Sequence, residues 1–187
     1  MPTFDINING LGGLQGPGGK QWSITYPGGV DYHVLNSDDT GTSYASYAYQ
    51  TGMNGWANFN ISYTGEPFTP AYSHINSVYL IDCQYFNNWQ LGHGTINVFC
   101  YDGVTVYAGD AVAQYNNVWT YADKTWATNP AGGDWTAAAI NAMQWGARIC
   151  VYEDGGPPIT GLSYLHVVVD YSLTLPDRSI KVRGYSF

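Results

Sequence analysis

The sequence predicts an all-β protein: an antiparallel β-sandwich, jelly-roll or Greek-key-like, with one short helix around 136–145. Three observations carry that prediction. Alternating segments recur at intervals of roughly 8–15 residues between Gly, Pro, Asn and Asp turns, which is the rhythm of a sandwich or barrel. The composition is rich in Tyr, Trp, Thr, Val and Gly, with only 11% charged residues, and so suits pleated, half-buried surfaces. One stretch alone has helical character, and the βαβ rhythm of a parallel sheet is absent.

In chain order, residues 1–20 hold six glycines and Pro17 and read as a Gly/Pro-rich N-terminal arm outside the core, leaving 21–187 as the sandwich domain. Phe4, Ile6, Ile8, Leu11 and Leu14 give the arm enough apolar content to dock, and a neighbouring subunit is the expected acceptor. Trp22 to Tyr26 reads as a first strand closed by Pro27-Gly28-Gly29. Val30, Tyr32 and Val34 mark a second. After the polar turn 36–41, Thr42 to Tyr49 is a strand of small and aromatic residues.

Ala57, Phe59, Ile61 and Tyr63 alternate with polar residues, a one-sided strand. Val78 to Cys83 is apolar on both faces and therefore central. Ile96, Val98 and Cys100 lead to the hairpin turn Asp102-Gly103 and on to Val104–Tyr107. Asp110 to Asn117 is a long connection, which favours Greek-key or jelly-roll wiring over simple hairpins. Trp119 and Tyr121 mark the strand before the helix. Arg148 to Tyr152 starts the one after it, Leu162 to Leu173 is the longest apolar run, and Ser179 to Tyr185 closes the chain.

The helix begins after Asn129-Pro130 and Gly132-Gly133 stop the preceding strand. Thr136 is the expected N-cap, with Trp135 and Ile140 at the two positions of a hydrophobic staple. Gly146 is expected to end the helix in a left-handed conformation. A helix this short is marginal alone, so it must lie on a sheet as a lid or connector.

Charge and cysteine usage narrow the function classes. A net charge of −8 with six basic residues argues against nucleic acid and against an anionic membrane surface. No run approaches a membrane span, and the N-terminus has no secretory pattern. Three cysteines, each in a strand-like segment, read as buried thiols in a reducing compartment. Assembly in a host cytoplasm is the expectation.

Candidate chemistry is thin. A glycosidase needs two opposed carboxylates, and Glu66 and Glu153 sit in separate turn-like segments. Asp82 and Asp170 lie inside apolar strands, where a structural hydrogen bond outweighs catalysis. His33, His74, His93 and His166 show no ligand spacing, and no GxSxG elbow occurs. Asp38, Asp39 and Thr40 are a weak start for a cation site, with an Asx-type turn the stronger reading. The expectation is no enzyme, no cofactor and no metal.

Aromatic residues offer more. Trp56, Trp89 and Trp119, with Tyr85, Phe86 and the amides around Trp89, suit either a subunit contact or a sugar-stacking platform. The low charge throughout favours the contact.

Asp38-Asp39-Thr40 with Thr42-Ser43-Tyr44, then Trp126-Ala127-Thr128-Asn129-Pro130, Trp135-Thr136 and Ile140-Asn141-Ala142, resemble a β-sandwich domain of tailed-bacteriophage structural proteins. The resemblance spans 22–175 and is specific over Trp126 to Gly146. It implies a non-enzymatic virion component, either a capsid decoration protein, head fibre or tail subunit, partnered by copies of itself and other virion proteins. The alternative is a carbohydrate-binding module or receptor-binding domain that uses exposed Trp and Tyr on host glycans.

Overall fold

The computed structural model describes residues 2–15, 36, 46–49, 54–70, 73–87, 93–115, 117–154 and 159–173. The expected strands at 22–26, 30–34 and 179–185 lie outside them. Eleven strands and one helix are described: β1 (Thr3–Ile6), β2 (Ile8–Gln15), β3 (Ser46–Tyr49), β4 (Asn54–Gly65), β5 (Ser73–Asn87), β6 (His93–Tyr101), β7 (Val106–Ala108), β8 (Val112–Tyr115), β9 (Val118–Trp126), α1 (Ala137–Ala142), β10 (Gln144–Asp154) and β11 (Ile159–Leu173).

Two antiparallel sheets form a sandwich. Sheet A runs β1-β11-β5-β9 with β3 also on β11; sheet B runs β2-β4-β10-β6-β7 with β8 also on β6. From β4 to β6 and again from β8 to β11 the chain changes sheet at every step. Each sheet therefore interleaves early and late strands: β11 lies beside β5, and β10 sits between β4 and β6. This is jelly-roll wiring, two Greek keys folded on each other. β5 pairs on both sides, with β11 and β9, as its two apolar faces predict.

Period-two alternation builds the core. Val78 and Leu80 of β5 and Leu165, Val167 and Val169 of β11 meet Ile61 and Tyr63 of β4, Ile96 and Val98 of β6, and Ala147 and Ile149 of β10. The stretch Asp110 to Asn117 is more than a connection, because β8 within it pairs with β6. At Asp102-Gly103 the carboxylate accepts from the amides of Val104 and Thr105, and Gly103 takes φ 97°.

α1 closes one end of the sandwich. The Thr136 hydroxyl accepts from Ala139 N at 3.0 Å, and Trp135 and Ile140 are buried. Trp135 Nε1 donates to Trp126 O at 3.0 Å, tying the lid to β9. Asn141 grips the loop before β5: its Oδ1 accepts from Phe68 N at 2.7 Å and its Nδ2 donates to Phe68 O at 3.3 Å.

Two expectations need correction. Gly146 does not end the helix. Met143 is already extended (φ −78°, ψ 143°), β10 starts at Gln144, and Gly146 lies inside it. The glycine serves close packing, since a Cβ there would collide with the Phe99 ring and Ile61 O. Nor do residues 2–15 of the expected N-terminal arm stand apart from the core. β1 pairs with β11, β2 pairs with β4, and Ile6 and Ile8 are only 2% and 1% exposed. The glycine-rich composition hid this because the glycines admit close neighbours. At Gly12 a Cβ would overlap Ser62 and the Gln144 amide, whose Oε1 accepts from Gly13 N at 2.7 Å and from Ser62 Oγ at 2.8 Å.

Candidate functional site

Alternation along β5 sends Val78, Leu80, Asp82 and Gln84 into the sandwich, so Tyr79, Ile81 and Tyr85 lie half-buried on the outer face of sheet A, with Cys83 between them fully buried. Register then sets their neighbours. Tyr85 is opposite Trp119, Cys83 opposite both Tyr121 and Tyr164, Ile81 opposite His166 and Asp123, and Tyr79 opposite Val168. The face grades from aromatic at one end to acidic at the other.

At the aromatic end the Tyr85 and Trp119 rings lie 5.0 Å apart at 42°, and the Tyr85 hydroxyl donates to Asn117 Oδ1 at 2.9 Å. Asn117 takes φ 60°, an uncommon backbone state that Asn tolerates, and this places its amide under the tyrosine. Tyr121 is 45% exposed. At the other end Tyr164 Oη lies 2.8 Å from His166 Nδ1, and His166 Nε2 lies 3.3 Å from Asp5 Oδ1, so one chain of polar contacts runs from β11 to β1. Partial burial and the neighbouring Asp123 raise the Tyr79 phenol above its ordinary value.

The structure unites some of the expected aromatic residues and separates others. Tyr85 and Trp119 share sheet A. Phe86 follows on β5, its backbone paired with Val118 and Thr160. Trp56 belongs to sheet B, in β4 opposite Tyr152, whereas Trp119 belongs to sheet A. Trp89 and the Asp38-Asp39-Thr40 turn lie outside the described residues. Glu153, expected in a turn, belongs to β10 with Asp154, and the two pair with Gly55 and Asn54. Of the arm residues, Phe4 packs edge-on against Phe68 at 5.2 Å, Ile6 and Ile8 are core, Leu11 is 39% exposed and Leu14 lies in β2.

The groups that could carry chemistry have structural employment. Asp82 is fully buried between the sheets, where Gln84 Nε2 and Ala122 N donate to it. Desolvation pushes its carboxyl well above the usual carboxylate range. The cysteines are free thiols; burial raises all three, Cys100 to about 12. Among the described residues no three His, Cys, Asp or Glu form a metal-sized group, and no helix is long and apolar enough to cross a membrane.

Sequence reasoning missed Tyr79, Ile81, Cys83, Tyr121 and Tyr164 as parts of one face. Alternation places each on a side of its own strand, but only the pairing of β5 with β9 and β11 gathers them.

Fold and face together define a class, a jelly-roll sandwich whose sheet A carries an aromatic outer face. No family model matches the chain, and no curated protein does. Among solved structures it is similar to a chain of the broad bean stain virus particle determined by cryo-EM. The two share 11% identity over 76% of this chain and 96% of that one, with a TM-score of 0.33. At that score the likeness carries no functional weight.

Proposed function

We propose that this chain is a non-enzymatic structural subunit of a tailed-phage virion, a capsid decoration protein, head fibre or tail subunit, that assembles with copies of itself and with other virion proteins. The observation that carries the reading is the outer face of sheet A. Tyr79, Ile81, Tyr85, Trp119, Tyr121 and Val168 line a broad strand surface on a chain only 11% charged. Aromatic-rich, charge-poor surfaces characterise the centres of protein interfaces. Jelly rolls are a common body for capsid proteins, and geometry is all such a subunit has to supply.

Solution mass of the full chain tests the assembly half. An oligomer that a Tyr121→Asp substitution dissociates supports the reading, and a monomer at every concentration counts against it. Mass spectrometry of purified particles tests the virion half: absence of the chain from the particle overturns it.

The Tyr85–Trp119 pair also supports a second reading, a carbohydrate-binding or receptor-binding module, since lectins share the jelly roll. Tryptophan fluorescence titrated with host-wall glycans discriminates the two. A response abolished by Trp119→Ala favours the sugar reading.

A further inference from the structure

The N-terminal segment sits in a groove that the rest of the chain builds for it. β1 adds to the edge of β11 and β2 to the edge of β4, so residues 2–15 bridge one flank of the sandwich, one strand in each sheet. The crossing point is fixed at Asn7, whose carbonyl accepts from Glu66 N at 2.8 Å and whose amide donates to Glu66 Oε2 at 3.0 Å. On either side of it, Ile6 and Ile8 enter the core.

The groove is shaped for that sequence. Gly65 has no side chain where Ile6 needs room, because a Cβ there would strike Ile6 Cγ2. Asn36 reads the Ile8 backbone as a neighbouring strand would, accepting from its N–H at 2.7 Å and donating to its C=O at 2.9 Å. Gln144 takes the Gly13 amide, and Tyr171 N donates to Pro2 O at 3.2 Å. Main-chain pairing gives affinity and side-chain pockets give specificity, which is how a sheet edge recognises an extended peptide.

From these contacts we infer that the groove between the edges of β11 and β4 takes residues 2–15 of a second copy as well as its own, so that neighbouring copies exchange N-terminal strands. The inference rests on the self-assembly reading above and names the contact that links the copies.

No contact in the groove requires donor and acceptor to be one chain. Exchange preserves every hydrogen bond and both buried isoleucines, which is why strand swapping is a low-cost route to oligomers. Sequence distance allows it. With a strand expected to start at Trp22, the chain advances 7 positions from Gln15 (22 − 15), and at about 3.3 Å each its limit is roughly 23 Å. A domain of 187 residues has a radius of gyration of only about 16 Å. Tethering gives the chain's own segment an effective concentration on the order of 1 mM, so its own groove wins in dilute solution. Crowded copies in an assembly reach similar concentrations, and there the neighbour competes.

Disulfide trapping in full-length protein tests this. Asp5 and Val168 are directly opposed in the β1–β11 pairing, and opposed antiparallel residues have a Cα separation within disulfide range. One chain carrying Asp5→Cys and a second carrying Val168→Cys are co-expressed, purified, concentrated and oxidised, and the bridge is mapped by peptide mass spectrometry. The double variant Asp5→Cys/Val168→Cys, oxidised dilute, reports whether the register is right. We expect the double variant to close within one chain. We expect the mixed chains to give a 5–168 heterodimer whose fraction rises about tenfold or more between about 10 µM and about 1 mM. Mixed chains that stay unlinked at about 1 mM while the double variant closes would overturn the exchange, and so would a double variant that does not close. Both outcomes are separable from the virion question, which particle composition answers without reference to position 5 or 168.

Discussion

The two flanks of the sandwich are closed by different means. On one, the free edges of β11 and β4 are covered by a segment remote in sequence, with Ile6 and Ile8 driven into the core and Asn36, Glu66 and Gln144 holding its backbone. On the other, β9 faces the short strands β7 and β8, which come from the same stretch of chain, and the Lys124–Asp110 ion pair at 3.0 Å spans the gap. The first flank is stabilised by buried apolar surface and by backbone hydrogen bonds. The second relies on local hairpins, on Tyr107 and Val112 packed against the core, on the buried Gln114 amide donating to Val118 O at 2.6 Å, and on a solvated charge pair.

The largest expected effects therefore fall on the first flank. Ile6→Ala and Ile8→Ala each leave a cavity between the sheets and should cost about 2–5 kcal/mol, measured by denaturant unfolding. Gly65→Ala should cost about 1–3 kcal/mol by overpacking against Ile6. Combining it with Ile6→Ala should be less damaging than the sum, since the shortened side chain vacates the clash. Strict additivity would show that Gly65 and Ile6 do not meet. Asn36→Ala strips two partners from the Ile8 backbone and should cost about 1–3 kcal/mol. Accelerated hydrogen exchange confined to β1 and β2 would confirm the assignment.

The same contrast explains what was legible in the sequence. Strands whose pattern is one of side chains were visible. β5 showed as apolar on both faces, β4 as one-sided, and the turn at Asp102-Gly103 followed from local chemistry. The sandwich class, the short helix and its expected capping residue came from the same local rules. β1 and β2 were hidden because Gly10, Gly12 and Gly13 read as looseness, when Gly12 is a place where Gln144 and Ser62 come close. Gly146 misled for a related reason. A glycine after a helical run has the sequence signature of a cap, and nothing local shows that Phe99, 47 positions earlier (146 − 99), fills the space above it. The aromatic face was half legible. Tyr85 and Trp119 stood out by residue type, but Trp56 was grouped with them although it lies in the other sheet.

Beneath the second flank, pH provides a finer probe. Asp82 lies under β9 opposite Ala122, and burial raises its carboxyl above the unfolded value of 3.8. A raised carboxyl contributes stability that is complete below pH 3.8 and is lost as pH climbs through the folded value, because the unfolded chain releases the proton first. Asp82→Asn removes that titration while keeping the shape. The stability of the native chain minus that of Asp82→Asn should therefore fall steadily from pH 4 upward. A difference that stays flat to pH 8 would mean that Asp82 is charged in the fold and compensated.

The smallest effect belongs to the ion pair itself. Lys124 and Asp110 side chains are 32% and 89% exposed, so most of the Coulomb gain is spent against solvent screening and side-chain ordering. Lys124→Ala or Asp110→Ala should change stability by no more than about 1 kcal/mol, and the double variant should match either single one closely. Raising salt from about 0.05 to about 1 M should erase even that difference, because the screening length falls to about 3 Å. A loss of 2 kcal/mol or more that persists at high salt would show that the second flank is held there as firmly as the first is by Ile6 and Ile8. The contrast in how the two edges are closed would then be one of sequence distance alone.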